Sequence, residues 1–332
     1  MRKIMLIIIL AVNICPETTL AEAVYSPERM ELDLRSIQDQ YGLDVQTIGQ
    51  TEKGKHIKAV KLGTGKKAIL LVGSHHGREW LSSKILMAML ADYAAAYRAG
   101  KPIGGYPSEL LNQVSIWFIP MLNPDGVSIQ QGDLSSLNML EKTSIWKMNR
   151  YSMNWSRWKA NAKGIDLNRQ YPAGWKEVMS HEKKPSYQFY KGKQPIQAAE
   201  VKALVTFTKE IDPLIAVSYH TSGREIFWHY QNKRDNMARD YGIAKKTAEL
   251  TGYELTFPEK NAVGSGFTDW FITEFNRPGM TIELSYLVDE THPPMSVFPE
   301  EWERNRNVGI MLVKEAGLLH NNLKILHNNT KE

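Results

Sequence analysis

Residues Ile69–Leu81 read ILLVGSHHGREWL, and this stretch decides the fold. The apolar run Ile69–Val72 has the length of a strand and stops at a glycine, which is typical of a buried strand. Apolar residues then recur at helical spacing, which predicts a helix directly after a short turn: Trp80, Leu81, Ile85, Leu86 and Leu90. In open α/β sheets, ligands bind at the turns that follow the strands. The stretch therefore predicts an α/β fold whose binding site begins in this turn.

The turn itself carries two histidines and a glutamate. His76 and Glu79 are three residues apart and could face one ion, whereas His75 would point away because neighbours in extended chain alternate. One imidazole and one carboxylate suit zinc, but catalytic zinc usually takes three protein ligands. His220 is the third candidate, since it follows the apolar run 214–219 and strand ends on one edge of a sheet converge.

The rest of the chain alternates apolar strands with amphipathic helices. Helices are predicted at 26–41, 198–207, 235–250, 266–275 and 299–319, and further strands at 57–62, 114–119, 214–219 and 280–284. We expect 57–62 to be an outer strand, Asn123–Gly126 a turn, and 130–175 an irregular segment ordered by its tryptophans. With no repeat and no linker, residues 24–332 are predicted to form one three-layer α/β/α domain with a mixed, mostly parallel, doubly wound sheet.

The first 23 residues have the layout of a secretory signal peptide. Arg2 and Lys3 precede an apolar run, and Ala21-Glu22-Ala23 is a small-x-small cleavage site. The apolar run is shorter than the roughly 20 residues that cross a bilayer. We therefore expect a secreted protein, in which a cell-wall or spore location is possible, and no membrane span.

Composition narrows the classes of function. Cys15 is the only cysteine and lies in the predicted signal, so we expect no disulfides and no cysteine chemistry in the exported chain. The formal net charge of +5 suits an anionic polymer such as cell wall, although a soluble surface explains it equally well. No basic run with interleaved aromatic residues indicates nucleic-acid binding. We expect a monomer.

Four short motifs occur in a fixed order: His76-x-x-Glu79, Gly164–Arg169 (GIDLNR), His220 and Thr281–Leu284 (TIEL). This ordered set resembles the zinc metallocarboxypeptidases over nearly the whole chain after residue 23. Three further segments are similar to the bacterial gamma-D-glutamyl-meso-diaminopimelate peptidases: Trp158–Asn161, Asn168–Pro172 and Gly266–Phe271. Enzymes of that branch cut the stem peptides of peptidoglycan, some of them in spore cortex.

The resemblance implies one zinc ion held by His76, Glu79 and His220. It implies that Glu283 is the general base, taking a proton from zinc-activated water and later delivering it to the leaving amine. The chemistry agrees, since zinc lowers the pKa of water to about 7 and polarises a carbonyl. Without the family, Glu283 in an apolar strand could instead pair with an arginine, although the cost of burying an acid favours catalysis. Asp166 is implied to accept the ring N–H of His76 and fix its tautomer.

The resemblance also implies substrate-binding residues. Asn168 and Arg169 match the pair that holds a free carboxylate of the substrate, for which the planar fork of arginine is suited. Arg78 resembles a second substrate-binding arginine, and either arginine could instead be a solvated surface cation. Thr268 stands at the specificity position, where a small polar side chain supports neither an aromatic-selective nor a basic-selective pocket.

Two positions depart from the family pattern. Lys159 stands at the arginine that stabilises the oxyanion, with Lys163, Arg150 or Lys147 as alternatives for that role. Asn261 stands at the substrate-capping tyrosine of digestive members, which argues against ordinary trimming of protein C-termini.

We therefore expect a secreted zinc metallopeptidase that hydrolyses the gamma-D-glutamyl to meso-diaminopimelate bond of peptidoglycan stem peptides. The first alternative is a general metallocarboxypeptidase that removes C-terminal residues from proteins or peptides. The second is a non-catalytic module that binds cell wall, which would be expected to lack a ligand or the base.

Overall fold

The computed structural model describes residues 24–256 and 264–329, and the side chains up to residue 321. Eight strands form one mixed sheet in the order β1-β2-β4-β3-β5-β8-β6-β7. The strands are β1 Asp44–Gln50, β2 His56–Leu62, β3 Lys67–Val72, β4 Val114–Ile119, β5 Ile215–Thr221, β6 Glu225–Phe227, β7 Glu254–Thr256 and β8 Gly279–Leu284. The predicted signal peptide, including Cys15, and Asn261 lie outside the described residues.

The central strands are parallel and buried on both faces. β4, β3, β5 and β8 pair in parallel, whereas β2 joins β4 and β6 joins β8 in the antiparallel sense. Their near-continuous apolar sequences fit strands that helices cover on both sides. The mixed, mostly parallel sheet predicted from the sequence is confirmed.

Nine helices are described, and they cover the two faces of the sheet. They are α1 Pro27–Tyr41, α2 Leu81–Arg98, α3 Pro124–Gln130, α4 Met139–Met148, α5 Ala199–Ile211, α6 Arg234–Thr251, α7 Phe267–Phe275, α8 Phe298–Asn305 and α9 Val308–Asn329. α2 and α9 pack on one face of the central strands, with α1, α6 and α8 around them. α5 and α7 pack on the other face. This arrangement is the predicted α/β/α three-layer structure.

Several predicted elements differ in the structure. β2 is not an outer strand, because β1, which lacks a clear apolar pattern, pairs along its free side. The predicted turn at Asn123–Gly126 is the start of α3, where the Asn123 side chain caps the helix by accepting from the Gly126 amide. The segment 130–175 contains α4, which begins with a capping box and buries only Ile145. A helix with so little apolar surface gives no periodic signal.

The predicted closing helix is two helices, α8 and α9, which separate at residues 306–307. Arg306 ends the first helix and donates its amide to Trp302. Within the described residues, no helix is long and apolar enough to cross a membrane.

Candidate metal and catalytic site

The turn after β3 is fixed by close backbone contacts. Gly77 donates its amide to the Lys159 carbonyl over 2.9 Å. A Cβ at Gly77 would lie 2.4 Å from the Gly126 carbonyl oxygen, so only glycine permits this approach. The Asn123 side-chain amide donates to the carbonyls of His75 and Ala160, at 3.1 and 3.2 Å. The turn, the start of α3 and the segment around Lys159 are therefore held together.

Three side chains meet at the carboxyl ends of β3 and β5. His76, Glu79 and His220 are each at most 3% exposed. One Glu79 oxygen lies 2.8 Å from His76 Nδ1, and the other lies 2.8 Å from His220 Nδ1. One ligand atom from each residue lies within 4.8 Å of the other two. Two imidazole nitrogens and one carboxylate are a donor set of catalytic zinc, so these residues fit a single zinc ion.

Polar partners orient both histidines from behind. His76 Nε2 lies 3.1 Å from Asp166 Oδ1 and is the nitrogen left to donate, because Nδ1 faces Glu79. His220 Nε2 lies 2.9 Å from Ser218 Oγ. Such partners fix the tautomer and orientation of metal-binding histidines. The role of Ser218 was not predicted, although its position two residues before His220 places it on the same strand face.

His75 lies behind the ligand group and is not one of its three members. Its ring nitrogens contact the hydroxyls of Ser218 and Tyr171, at 3.0 and 3.1 Å. Burial and the nearby imidazole of His220 lower the pKa of His75 well below its usual range, so the ring is neutral. A neutral ring can accept at one nitrogen and donate at the other, which matches these two contacts.

Neighbouring groups keep two carboxyl groups ionised: Asp166, which lies behind the ligand group, and Glu79, which belongs to it. Burial alone would raise the pKa of Asp166, but the positive charge of Lys159 and the hydrogen bond from His76 hold it well below its usual range. Burial opposes ionisation of Glu79 in the same way, and His76 and His220 outweigh it. Both groups are therefore carboxylates, the form that can accept hydrogen bonds or bind a metal.

Glu283 lies beside the ligand group on the neighbouring strand. It is in register with His220 across the parallel β5–β8 pair, so the two side chains share a face of the sheet. Within residues 24–256 and 264–329, its carboxylate has neither an ion-pair nor a hydrogen-bond partner, which removes the alternative of a structural arginine pair. Burial and the negative charge of Glu79 raise the pKa of Glu283 well above its usual range. A carboxyl with a raised pKa is suited to exchange a proton near neutral pH.

Lys159 is a cation of the cavity and, like Arg169, lies close to the buried Asp166. Its Nζ lies 3.8 Å from Asp166 Oδ2, and it lines the cavity that also holds His76 and Glu283. The three alternatives lie elsewhere: Arg150 pairs with Glu182 on the surface, and Lys147 and Lys163 are exposed and do not line this cavity. Among these four cations, position therefore favours Lys159 for stabilising negative charge on the oxyanion.

A cavity of about 230 Å³ adjoins the ligand group. Asn168, Arg169 and Thr268 line it, and their contact with substrate stays a prediction. The Thr268 hydroxyl lies 2.8 Å from that of Thr281, so this part of the wall is polar and uncharged. The Arg169 side chain lines the cavity, and its Nε lies 3.7 Å from Asp166 Oδ2. A guanidinium is suited to bind a carboxylate of a substrate.

Several cavity residues were missed by sequence reasoning, among them Phe227 and His229. Phe227 and His229 line the cavity from β6 and the segment that follows it. β6 is only three residues long, so it gave no signal of its own, and it reaches the site by antiparallel pairing with β8.

Arg78 lies apart from this cavity. Its Nη1 donates to the Arg157 carbonyl and to Gln188 Oε1, each over 3.2 Å. Gln188 in turn donates to Glu290, which lies in the segment after β8. Arg78 thus lies outside the cavity lining, and a contact with substrate stays a prediction.

Comparisons with known proteins agree with this geometry. Residues 32–308 match the family model described as zinc carboxypeptidase. Gamma-D-glutamyl-L-diamino acid endopeptidase 1 of Lysinibacillus sphaericus is 32% identical over 280 residues, which cover 82% of this chain and 68% of that protein. Among solved structures, bovine thrombin-activatable fibrinolysis inhibitor aligns with a TM-score of 0.70 and 17% identity, over 91% of this chain and 99% of that one. Murein-tripeptide amidase MpaA of Escherichia coli O157 aligns with a TM-score of 0.50 and 18% identity, over 80% and 90%. Both alignments are similarities of fold.

Proposed function

The chain belongs to the zinc carboxypeptidase family and is a zinc-dependent metallopeptidase, and from this premise we propose that it hydrolyses the gamma-D-glutamyl to diamino acid bond of peptidoglycan stem peptides. The observation that carries the proposal is the similarity to the relative from Lysinibacillus sphaericus. The name of that relative states this bond, and the alignment covers most of the chain. Meso-diaminopimelate is the diamino acid we propose, on the likeness of the local motifs.

His76, Glu79 and His220 would hold the ion, and Asp166 and Ser218 keep both imidazoles in the tautomer that presents Nδ1. When bound, zinc supplies a Lewis acid that polarises the scissile carbonyl and lowers the pKa of water. Every other task falls to side chains of this chain.

Glu283 would take the proton from the attacking water and pass it to the leaving nitrogen. The water oxygen forms a bond to the gamma-carbonyl carbon, the C–N bond breaks, and the products are a D-glutamyl gamma-carboxylate and a free amine. The raised pKa of Glu283 and its lack of an ion-pair partner among the described residues support this role. Lys159 would stabilise the negative charge that develops on the carbonyl oxygen.

The cavity supports a polar leaving group. Asn168 and Arg169 would bind a free carboxylate of the diamino acid, and the hydroxyls of Thr268 and Thr281 would face its polar side chain. A digestive carboxypeptidase selects apolar or basic side chains with a matching wall, whereas these two threonines are neither large nor charged.

We also propose that the protein is exported as a monomer after removal of residues 1–23. The sequence pattern of that segment supports export, and the basic surface suits an anionic wall. Detection of a mature N-terminus at residue 24 in the culture medium would test this part.

Two substrates separate the proposal from its nearest rival. The purified protein is incubated with L-Ala-gamma-D-Glu-meso-diaminopimelate and, separately, with hippuryl amino acids, and the products are identified by mass. Cleavage of the tripeptide to free diaminopimelate is expected. Cleavage of hippuryl substrates alone would instead identify a general carboxypeptidase, and no cleavage of either would favour a binding module.

A further inference from the structure

Three acids line the cavity beside the ligand group: Asp166, Glu283 and Asp269. Asp166 contacts the ligand His76, and Glu283 is the proposed general base. Asp269, the third residue of α7, serves neither metal binding nor proton transfer. Its side chain is partly exposed and lines the cavity, so this third acid is accessible to a ligand.

One oxygen of the Asp269 carboxylate is held by the protein and the other is not. Oδ2 accepts from the amides of Gly264 and Gly266, at 3.1 and 3.0 Å. Within residues 24–256 and 264–329, Oδ1 has no hydrogen-bond partner and Asp269 forms no ion pair. A carboxylate offers about four acceptor positions on its two oxygens. The held oxygen therefore fixes the side chain and leaves the other oxygen with unused acceptor positions.

Asp269 is charged at neutral pH. Burial raises the pKa of Asp269 to about 6, and the amides of Gly266 and Gly264 and the positive charge of Arg169 oppose a larger rise. At pH 7 the group is therefore mostly a carboxylate. A partly buried negative charge attracts a cationic group of a ligand.

The wall of the cavity carries opposite charges at separate points. Arg169 lines the same cavity as Asp269, but its Nε lies 3.7 Å from Asp166 Oδ2, and Arg169 and Asp269 form no ion pair with each other. A complementary ligand has a carboxylate at one point and an ammonium at another. A diamino acid has this pattern when its first amine is part of the scissile amide.

Other parts of the lining suit a short aliphatic chain. Ile272 follows Asp269 by three residues on α7 and lines the cavity together with Phe227. The hydroxyls of Thr268 and Thr281 add polar atoms to the same wall. The cavity volume of about 230 Å³ lies below the range of about 300–1,000 Å³ that is usual for small-molecule pockets, so there is room for one small side chain.

We propose that Asp269 binds the side-chain ammonium of the diamino acid and thereby selects a diamino acid, such as diaminopimelate or lysine, over a monoamino acid on the leaving side of the scissile bond. The inference rests on the proposed function. The carboxylate next to the scissile nitrogen then contacts Asn168 and Arg169, and the aliphatic chain packs on Ile272 and Phe227. An ammonium that leaves water needs a charged or hydrogen-bonding partner, and Asp269 Oδ1 supplies one.

Two tripeptides isolate this contact: L-Ala-gamma-D-Glu-meso-diaminopimelate and the same peptide ending in L-2-aminopimelate. The second has the same carbon chain and carboxylates and lacks only the side-chain amine. Wild type should cleave the diaminopimelate peptide with a kcat/KM about 10- to 100-fold higher, because the analogue loses a hydrogen bond between charged groups. This comparison uses wild type alone, so it does not depend on how a variant folds.

Asp269→Asn keeps an oxygen that can accept from Gly264 and Gly266 and removes the negative charge. The ratio of kcat/KM between the two peptides should fall to about one in this variant, through a higher KM for the diaminopimelate peptide. Asp235→Asn is the matched control, since Asp235 is an exposed acid in the first turn of α6 and does not line the cavity. It should keep the wild-type ratio, and denaturant unfolding checks the stability of both variants.

A role of Asp269 in capping α7 alone gives a different result: Asp269→Asn then lowers kcat/KM for both peptides by the same factor, and the proposal is overturned. It is also overturned if wild type cleaves both peptides equally well, or if Asp269→Asn keeps the wild-type ratio. Failure of the proposed function looks different, because wild type then cleaves neither tripeptide, and the role of Asp269 fails with it.

Discussion

Two glutamates of the described structure, Glu301 and Glu283, have opposite surroundings. Glu301, on α8, accepts two hydrogen bonds from Arg224, at 2.9 and 2.7 Å, and a third from the Tyr253 hydroxyl. Glu283, on β8, has neither an ion-pair nor a hydrogen-bond partner within residues 24–256 and 264–329. Both oxygens of the Glu301 carboxylate therefore accept hydrogen bonds within the protein. Glu283 is left able to exchange a proton, and the ligand group lies beside it.

A third glutamate is intermediate between them. Glu200, on α5, is fully buried and accepts from the Asn161 side chain over 3.1 Å, while its other oxygen has no partner among the described residues. Burial raises the pKa of Glu200 to about 8. The number of partners therefore separates a structural carboxylate, a half-satisfied one and a reactive one, and the predictions below test that order.

Removal of the metal is expected to have the largest effect. Dialysis against a zinc chelator should abolish hydrolysis. Without the ion that His76, Glu79 and His220 would hold, no Lewis acid polarises the scissile carbonyl. Activity should return when one equivalent of zinc per chain is added, as measured by metal analysis and initial rates. Full activity in a protein shown to be free of metal would contradict the zinc assignment.

Glu283→Gln should lower kcat by about 10²- to 10⁴-fold, since the amide cannot take a proton. The fold should keep its stability, because the described structure shows no partner that the substitution would strand. Steady-state kinetics and denaturant unfolding on the same preparation check both statements. Unchanged kcat would remove Glu283 from the mechanism.

Glu301→Gln should give the reverse result. Breaking a buried, hydrogen-bonded ion pair costs about 3–5 kcal/mol, and the loss should lie at the lower end of that range because Arg224 keeps its ion pair with Glu300 at 2.8 Å. Urea denaturation should show this loss in the free energy of unfolding, whereas kcat of the folded fraction should stay close to wild type. A stable variant with a lowered kcat would mean that Glu301 takes part in catalysis, and it would contradict the distinction between Glu301 and Glu283.

Glu200→Gln should change how stability depends on pH. The folded pKa of about 8 lies above the ordinary value of 4.5, so the native state keeps a proton that the unfolded chain releases. The stability from this group is complete below about pH 4.5 and is lost as pH rises through about 8. Glutamine cannot ionise. The free energy of unfolding of the variant, relative to that of wild type, should therefore rise between pH 5 and pH 9 by on the order of a few kcal/mol. Equal pH profiles in urea denaturation would contradict the raised pKa.

Lys159→Met should lower kcat by about 10- to 100-fold, by removing the cation that faces the developing oxyanion. Lys163→Met is the matched control, since Lys163 is exposed four residues away and does not line the cavity. Lys159→Arg should restore most of the activity, because it keeps the charge. Equal losses in both methionine variants would show that the cation acts through the general field of the protein.

Sequence reasoning predicted the elements that local pattern controls. The apolar runs that became β3, β4, β5 and β8 were all found, since buried parallel strands are continuously apolar. It missed β1, β6 and β7, whose residues are mostly not buried, and it missed α4, although Asn138-x-x-Glu141 is a capping signature. Amphipathic spacing also continued across residues 306–307, where the chain starts a second helix.

The sequence alone determined the fold class and the residues that converge on the metal position, because ligand identity and strand ends are local features. Only the tertiary structure decided that Glu283 has no ion-pair partner among the described residues, that Ser218 supports His220, and that Lys159 rather than Lys163 lines the cavity. Those facts depend on distances between segments far apart in the chain. Packing of the strands and helices sets such distances, and residue spacing along one segment does not contain them.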